Sequence, residues 1–221
     1  TGTALIFVAN SGENCIAVAP GANYSLLPGS ISRFSEVIDV ADIIIMQAEI
    51  PYETNKKIAL LAKQKGKKVL FNPAPACLLD EELMKAIDIL VVNEVEAAFI
   101  SGIDYTGNNH EKIAQALIEA GAQNVVITLG SQGVYMKNNQ KTVYLPGYKV
   151  NAIDTIAAGD TFCGALAVSC AQREIDQEAL GFANAAAAIA VTRSGAQPSI
   201  PTLDEVKCFI LEKESVLSFN S

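Results

Sequence analysis

The chain has 221 residues, of which 50% are hydrophobic and 18% charged, with a formal net charge of −8. That mixture provides one sizeable apolar core and excludes a disordered chain. An acidic balance without a basic stripe or interleaved aromatics excludes nucleic acid and anionic membrane surfaces as partners, and no apolar run reaches the roughly 18 to 20 residues of a membrane span.

Taken in chain order, the sequence enters a strand at once, without an initiator methionine or the charged region of a signal peptide. The expectation is that a segment precedes Thr1. Strands are predicted at 3–9 and 13–19, joined by the turn Asn10-Ser-Gly-Glu13. A helix over 28–40 leads to a strand at 42–47, and Pro51 opens a helix over 51–65 that Gly66 closes. Further strands are predicted at 68–72, 88–92, 124–129, 133–137 and 142–145, and helices at 80–86, 94–101, 109–120, 157–172, 176–193 and 202–214. Gly121 ends one helix and Asp176 is placed to cap another. The continuous apolar runs Ile43–Met46, Val69–Phe71, Ile89–Val92 and Val125–Ile127 read as strands buried on both faces. Strands and helices alternating in this way predict a three-layer α/β/α fold on a mainly parallel sheet, whose ligands collect at the carboxyl ends of the strands.

Polar residues follow those runs: Gln47 and Glu49, Asn72, Asn93 with Glu96, and Thr128-Leu-Gly-Ser-Gln-Gly133. Asn93 and Glu96, three apart at a helix start, can face a common point as an outer shell for hydrated Mg²⁺, or can simply cap the helix. The glycines of 128–133 suit close approach of nucleotide phosphates to the backbone, and equally suit a hairpin turn. The five cysteines, Cys15, Cys77, Cys163, Cys170 and Cys208, form no Cys-x-x-Cys pair and read as buried thiols of a reducing cytoplasm. His110, the only histidine, reads as a solvated helix-start residue, which excludes a Ser-His-Asp mechanism.

The most informative stretch is Asp154-Thr-Ile-Ala-Ala-Gly-Asp160 running into Thr161, Phe162 and Cys163. Small residues open a helix, so N–H groups of Ala157, Ala158 and Gly159 can converge on an anion where the helix dipole is positive. A carboxylate in that first turn makes chemical sense if Asp160 takes a proton from a hydroxyl attacking a phosphoryl group held by the same N–H groups. The plainer reading is a tightly packed helix start with a first-turn acid.

Ala157-Ala-Gly-Asp-Thr-Phe162 with Gly164-Ala-Leu166 resembles the second signature of the PfkB, or ribokinase-like, carbohydrate kinases, and Asn93-x-x-Glu96 resembles their magnesium and phosphate motif. Glu13-Asn-Cys-Ile16, Pro20-Gly-Ala-Asn23, Asn72-Pro-Ala-Pro-Ala76, Ile127-Thr-Leu-Gly-Ser131 and Ala185–Arg193 running into Ser194-Gly-Ala-Gln-Pro-Ser-Ile-Pro201 are similar to the branch that phosphorylates D-ribose at its 5-hydroxyl. Most of the wider family carries Thr-Gly where this chain has Ile156-Ala157, and Ile-Ala is typical of that branch.

The resemblance implies a role for each matching position. Asp160 would be the base, with Ala157, Ala158 and Gly159 as the anion hole, and Glu49 would contact the sugar. Thr128, Leu129, Gly130, Ser131, Gln132 and Gly133 would line the ATP site, with Asn184 beside adenine. Asn93 and Glu96 would arrange Mg²⁺ through water, while Asp154, Ile156, Ala190, Arg193, Gly195 and Ser199 would hold K⁺, a cation that prefers such hard oxygen ligands. It further implies a kinase domain over 1–221 lacking an earlier segment that carries other sugar contacts, lid strands within 1–20 that form a homodimer contact, and a free edge at strand 42–47. With that segment absent, low activity is expected of the chain alone. A kinase for fructose, a nucleoside or a hydroxymethyl heterocycle, and a non-catalytic nucleotide- or partner-binding fragment, remain the alternatives.

Overall fold

A computed structural model describes residues 2–8 and 14–219. Eight strands form two sheets. Strands β1 (Thr3–Val8) and β2 (Asn14–Ala19) make an antiparallel pair by themselves. Strands β3 (Ile43–Gln47), β4 (Lys68–Asn72), β5 (Ile89–Asn93), β6 (Asn124–Thr128), β7 (Gly133–Asn138) and β8 (Thr142–Pro146) form the central sheet in sequential order. The pairs from β3 to β6 are parallel and the last two are antiparallel. The sheet is therefore mixed, because β6, β7 and β8 are joined by turns too short for a crossover helix.

One face of the sheet is covered by α2 (Tyr52–Gln64), α3 (Glu81–Ala86), α4 (Glu94–Ser101) and α5 (His110–Glu119), around a core that includes Phe71, Leu90, Leu117 and Ile127. The other face carries α6 (Ala158–Cys170) and α7 (Gln177–Ala190), packed on Leu70, Val91, Val126 and Met136. Beyond α7 lies α8 (Leu203–Phe219), packed through Val206. Each parallel strand sends alternate side chains into both cores, which is why its sequence reads as a continuous apolar run.

Several expectations are corrected. The segment 28–40 is not one helix but a 3₁₀ turn, Pro28–Phe34, followed by the short α1 (Ser35–Val40). Strand β3 is not buried on both faces: it is a sheet edge, and Ile45 is 42% exposed. The free edge expected at 42–47 is present among the described residues. His110 is not solvated; it lies half-buried with its ring centroid 4.5 Å from that of Tyr135. Of the four cysteines whose thiols are described, Cys163 and Cys170 are buried, Cys77 is half-buried and Cys208 is exposed. The turn expected at 10–13 lies outside the described residues.

The caps follow the sequence. Asp80 and Asp176 each accept a backbone N–H of the first turn, on α3 and α7 respectively. Gly66 (φ +65°) and Gly121 (φ +114°) follow the ends of α2 and α5.

Where β6 turns into β7, two stretches of backbone cross closely. A Cβ on Gly133 would stand 2.1 Å from the Leu145 carbonyl oxygen, and one on Gly147 would stand 2.2 Å from the Ser131 carbonyl oxygen. Gly133 also has φ +105°, a conformation that L-residues rarely adopt. Gly133→Ala is expected to cost roughly 2–4 kcal/mol of unfolding free energy in urea denaturation, since neither backbone segment can yield without breaking the β7–β8 ladder.

Candidate active site

The carboxyl ends of β3 to β6 place Gln47, Asn72, Asn93 and Thr128 along one edge of the sheet, with Gln47 level with Asn72 and Asn93 level with Thr128. Helix α6 crosses the sheet in the reverse direction to β4. The ammonium group of Lys68, at the start of β4, donates to the carbonyls of Cys170 (3.0 Å) and Arg173 (2.7 Å), at and just beyond the far end of α6. A 13-residue helix spans about 20 Å and a five-residue strand about 17 Å. The first turn of α6 consequently stands over the polar edge. The Cys163 thiol reports the same neighbourhood: burial first, then the carboxylates of Asp160 and Glu96, push it up to about 12.

Ala157 takes the N-cap position of α6 in the left-handed conformation (φ 60°, ψ 10°), the only non-glycine residue with positive φ among the described residues. Such a residue costs on the order of 1 kcal/mol. A glycine at this position would adopt it freely. No side chain caps this helix. The Ala158 N–H turns inward to the Thr155 carbonyl (3.3 Å), so of the three expected anion donors this one is partly engaged. Among the described residues no acceptor meets the N–H of Ala157, Gly159 or Asp160. Nothing lies within 4 Å of the place a Gly159 side chain would occupy, and Asp160 is exposed. Open space, free donors and a positive helix end together could receive an anion.

Two loops hold this turn. Asp154 accepts the N–H of Ile156 (2.9 Å) with one carboxylate oxygen and that of Gly195 (3.0 Å) with the other, and these bonds keep its carboxyl below the usual range. The N–H groups of Ile153 and Asp154 both donate to the Val191 carbonyl, and the Arg193 N–H donates to that of Ala190. Ser199 is fully buried beside them, with its hydroxyl on the Ala196 carbonyl (2.6 Å). The Arg193 guanidinium is drawn outward onto Glu205, which is held down at about 2 by that arginine and by Thr202. Asp154, Ile156, Ala190, Arg193, Gly195 and Ser199 thus come from two laced segments. Among the described residues no group of three His, Cys, Asp or Glu side chains gathers as a metal site. A donor set of one carboxylate, backbone carbonyls and a hydroxyl suits an alkali cation.

A cleft of about 500 Å³ opens beside the anion site. Thr128, Gly130, Ser131, Gly133, Ala158, Gly159 and Asn184 all line it, so the structure brings most of the expected nucleotide residues together. Leu129 instead turns into the core, and Gln132 stands outside the lining. Asn184 is 9% exposed and donates to the Pro146 carbonyl (3.0 Å). Gly147, Tyr148, Lys149, Val150, Thr155 and Ala187 are among the other residues of its walls. None of these was legible in the sequence. Glu49 is exposed after β3, three strands from Thr128 and so about 14 Å away across the sheet.

Asn93 and Glu96 form the reciprocal capping box of α4: the Asn93 side chain accepts the Glu96 N–H (2.8 Å) and the Glu96 carboxylate accepts the Asn93 N–H (2.9 Å). Asn72 adds a longer bond to the same carboxylate (3.3 Å). Glu96 is only 7% exposed, and burial raises its pKa above the ordinary 4.5 against those two donors. The geometry shown is that of a capping box, with its acid buried at the polar end of the sheet.

A model of pfkB family carbohydrate kinases matches residues 1–203. The ribokinase of Haemophilus influenzae is 41% identical over 211 residues, covering 95% of this chain and 69% of that protein. The ribokinase of Staphylococcus aureus is 41% identical over 209 residues, covering 93% and 68%. Among solved structures, the ribokinase of Thermotoga maritima superposes with a TM-score of 0.84 at 40% identity, over 95% of this chain and 69% of that one. The Arabidopsis thaliana ribokinase complexed with ribose and ATP superposes at 0.86 with 30% identity, over 95% and 69%.

The sign of the Glu96 shift gives a test. An acid whose folded pKa is raised contributes stability that is full below its ordinary 4.5 and lost as pH rises through the folded value. Glu96→Gln keeps an oxygen for both donors and removes the buried charge. The variant is expected to melt at or above the parent temperature at pH 7, and its melting temperature should fall less between pH 4 and 7.

Proposed function

The chain belongs to the pfkB family of carbohydrate kinases, and we propose that its reaction is transfer of the γ-phosphoryl group of ATP to the 5-hydroxyl of D-ribose, giving ribose 5-phosphate. The names of its relatives support that substrate. The observation that carries the mechanism is the uncapped first turn of α6, with Asp160 in it, opening onto the cleft lined by Thr128, Gly130 and Ser131.

Asp160 accepts the proton of the sugar hydroxyl as its oxygen attacks phosphorus. The free N–H groups of Ala157 and Gly159, joined by that of Ala158 once its weak internal bond is given up, take the charge growing on the equatorial oxygens. The helix dipole aids that second task and, unopposed, would hinder the first. Both are served because proton transfer removes the negative charge from Asp160 while the phosphoryl group brings its own. Glu49, on the exposed turn after β3, holds a sugar hydroxyl, and Asn184 lies beside adenine.

Asn93 and Glu96 fit a hydrated divalent cation, because a half-open amide and a buried acid are the polar groups at that edge. They would hold Mg²⁺ through its waters, and the ion would supply neutralisation of the phosphate charge. The Asp154 segment and the 190–199 segment fit K⁺, whose charge would firm the turn that presents the anion donors. We further propose a cytoplasmic homodimer through the β1–β2 pair. The chain spans 69% of the length of its Haemophilus relative, and full turnover is proposed for a protein that also holds the sugar contacts the resemblance assigns to an earlier segment.

In the protein that also holds the earlier segment, Asp160→Asn is expected to lower kcat at least about 100-fold, and up to about 10⁴-fold, while ATP affinity changes less than about threefold. ATP consumption with D-ribose and isothermal titration on the same sample measure both quantities. Turnover close to the parent value would remove Asp160 from the role of base. A panel of D-ribose, D-fructose and a nucleoside, run with and without potassium, tests the sugar and the activating ion.

A further inference from the structure

The turn Gly130–Gln132, which brings Gly130 and Ser131 to the cleft, is closed on itself by three backbone bonds: the Leu129 N–H to the Gly133 carbonyl (2.8 Å), the Gln132 N–H to the Leu129 carbonyl (3.0 Å) and the Gly133 N–H to the Gly130 carbonyl. None of these reaches the β8 side. Beside the close backbone crossing of Ser131 and Gly147, the turn's hydrogen bonds to that side are made at one atom, the Gln132 carbonyl oxygen. It accepts the Gly147 N–H (3.1 Å) and the Tyr144 hydroxyl (2.9 Å), which uses both of its lone pairs.

Tyr144 is half exposed on the edge strand β8, so the bond is not there to satisfy a buried hydroxyl. Its ring is instead held in place from the side. Tyr144 faces Tyr135 across the β7–β8 ladder, and the His110 imidazole at the start of α5 lies nearly parallel to it, 6.4 Å between centroids with 13° between planes. His110 in turn packs on Tyr135 at 4.5 Å. A ring stacked on a neighbour and hydrogen-bonded at its tip has fewer rotamers open to it than a free one.

We propose that Tyr144, outside the cleft itself, is a positioning residue for nucleotide binding: its hydroxyl, together with the Gly147 N–H, fixes the Gln132 carbonyl and so the height of the Gly130–Ser131 backbone that the phosphates approach. This rests on the ATP-binding reading of the cleft. Removing the hydroxyl leaves the ring packing intact and leaves Gln132 hinged on Gly147 alone, so the turn samples more positions and the nucleotide must restore the productive one on binding.

Tyr144→Phe isolates that hydroxyl. Amide hydrogen exchange of residues 129–133, measured without ligand, is expected to be several-fold faster than in the parent. The dissociation constant for a non-hydrolysable ATP analogue, measured by isothermal titration, is expected to rise about three- to tenfold, the range for one neutral hydrogen bond. In turnover the same factor should fall on KM for ATP, with kcat and KM for ribose within twofold. A residue with a merely structural role would lower the melting temperature without separating these constants. Unchanged exchange and unchanged analogue affinity in Tyr144→Phe would overturn the inference while leaving ATP binding to the parent in place. A parent that binds no nucleotide would overturn the reading of the cleft and the inference with it.

Discussion

The carboxylate of Asp154, with the Ile153 and Asp154 N–H bonds to Val191, ties together the two segments between which the candidate site is built. One of its oxygens holds the Ile156 N–H at the approach to α6, and the other holds the Gly195 N–H after α7. Without it the left-handed Ala157 would have little to over-determine it, since an unfavourable φ persists only where surrounding bonds enforce it. The free N–H groups of the α6 turn, the position of Asp160 and the floor of the cleft all follow from that enforced turn. Burial in the α6–α7 layer cannot supply this specificity, because apolar packing fixes where a helix lies but not how its first residues are aimed.

Burial and function pull against each other at the opposite wall. Glu96 serves its own helix as a capping partner, and a neutral glutamine could do the same without bringing a charge into a 7%-exposed position. Asn72 and Asn93 offset part of the lost hydration by donating to it. The capping reading of Asn93-x-x-Glu96 is what the geometry shows, and it leaves room for the proposed site acid to be the same residue.

Most of the architecture was legible because its signals are local. Apolar runs bounded by polar residues located every strand of the central sheet, and Asp80, Asp176, Gly66 and Gly121 behave as their residue types suggest. The failures share a physical origin. Whether β3 is central or marginal depends on which strands flank it, and Ile43–Met46 looks the same either way. The half-buried state of His110 depends on two tyrosines on other strands, at positions 135 and 144. The cleft walls at Gly147, Tyr148 and Val150 come from an irregular stretch after β8 with no periodicity to read. The engaged N–H of Ala158 depends on a bend at Thr155 that composition does not encode.

The proposed proton acceptor and anion donors sit on consecutive residues at the start of one helix, and that helix is pinned at its far end by Lys68 to the start of β4. The distance between them is thus a property of α-helical geometry, as invariant as the 1.5 Å rise. Whatever closes over the site can change whether a sugar arrives and whether water leaves, but cannot tune the spacing of base to phosphoryl group. The spacing at the start of α6 is thus set by a single rigid ruler, independent of Glu49 on the far side of the sheet edge.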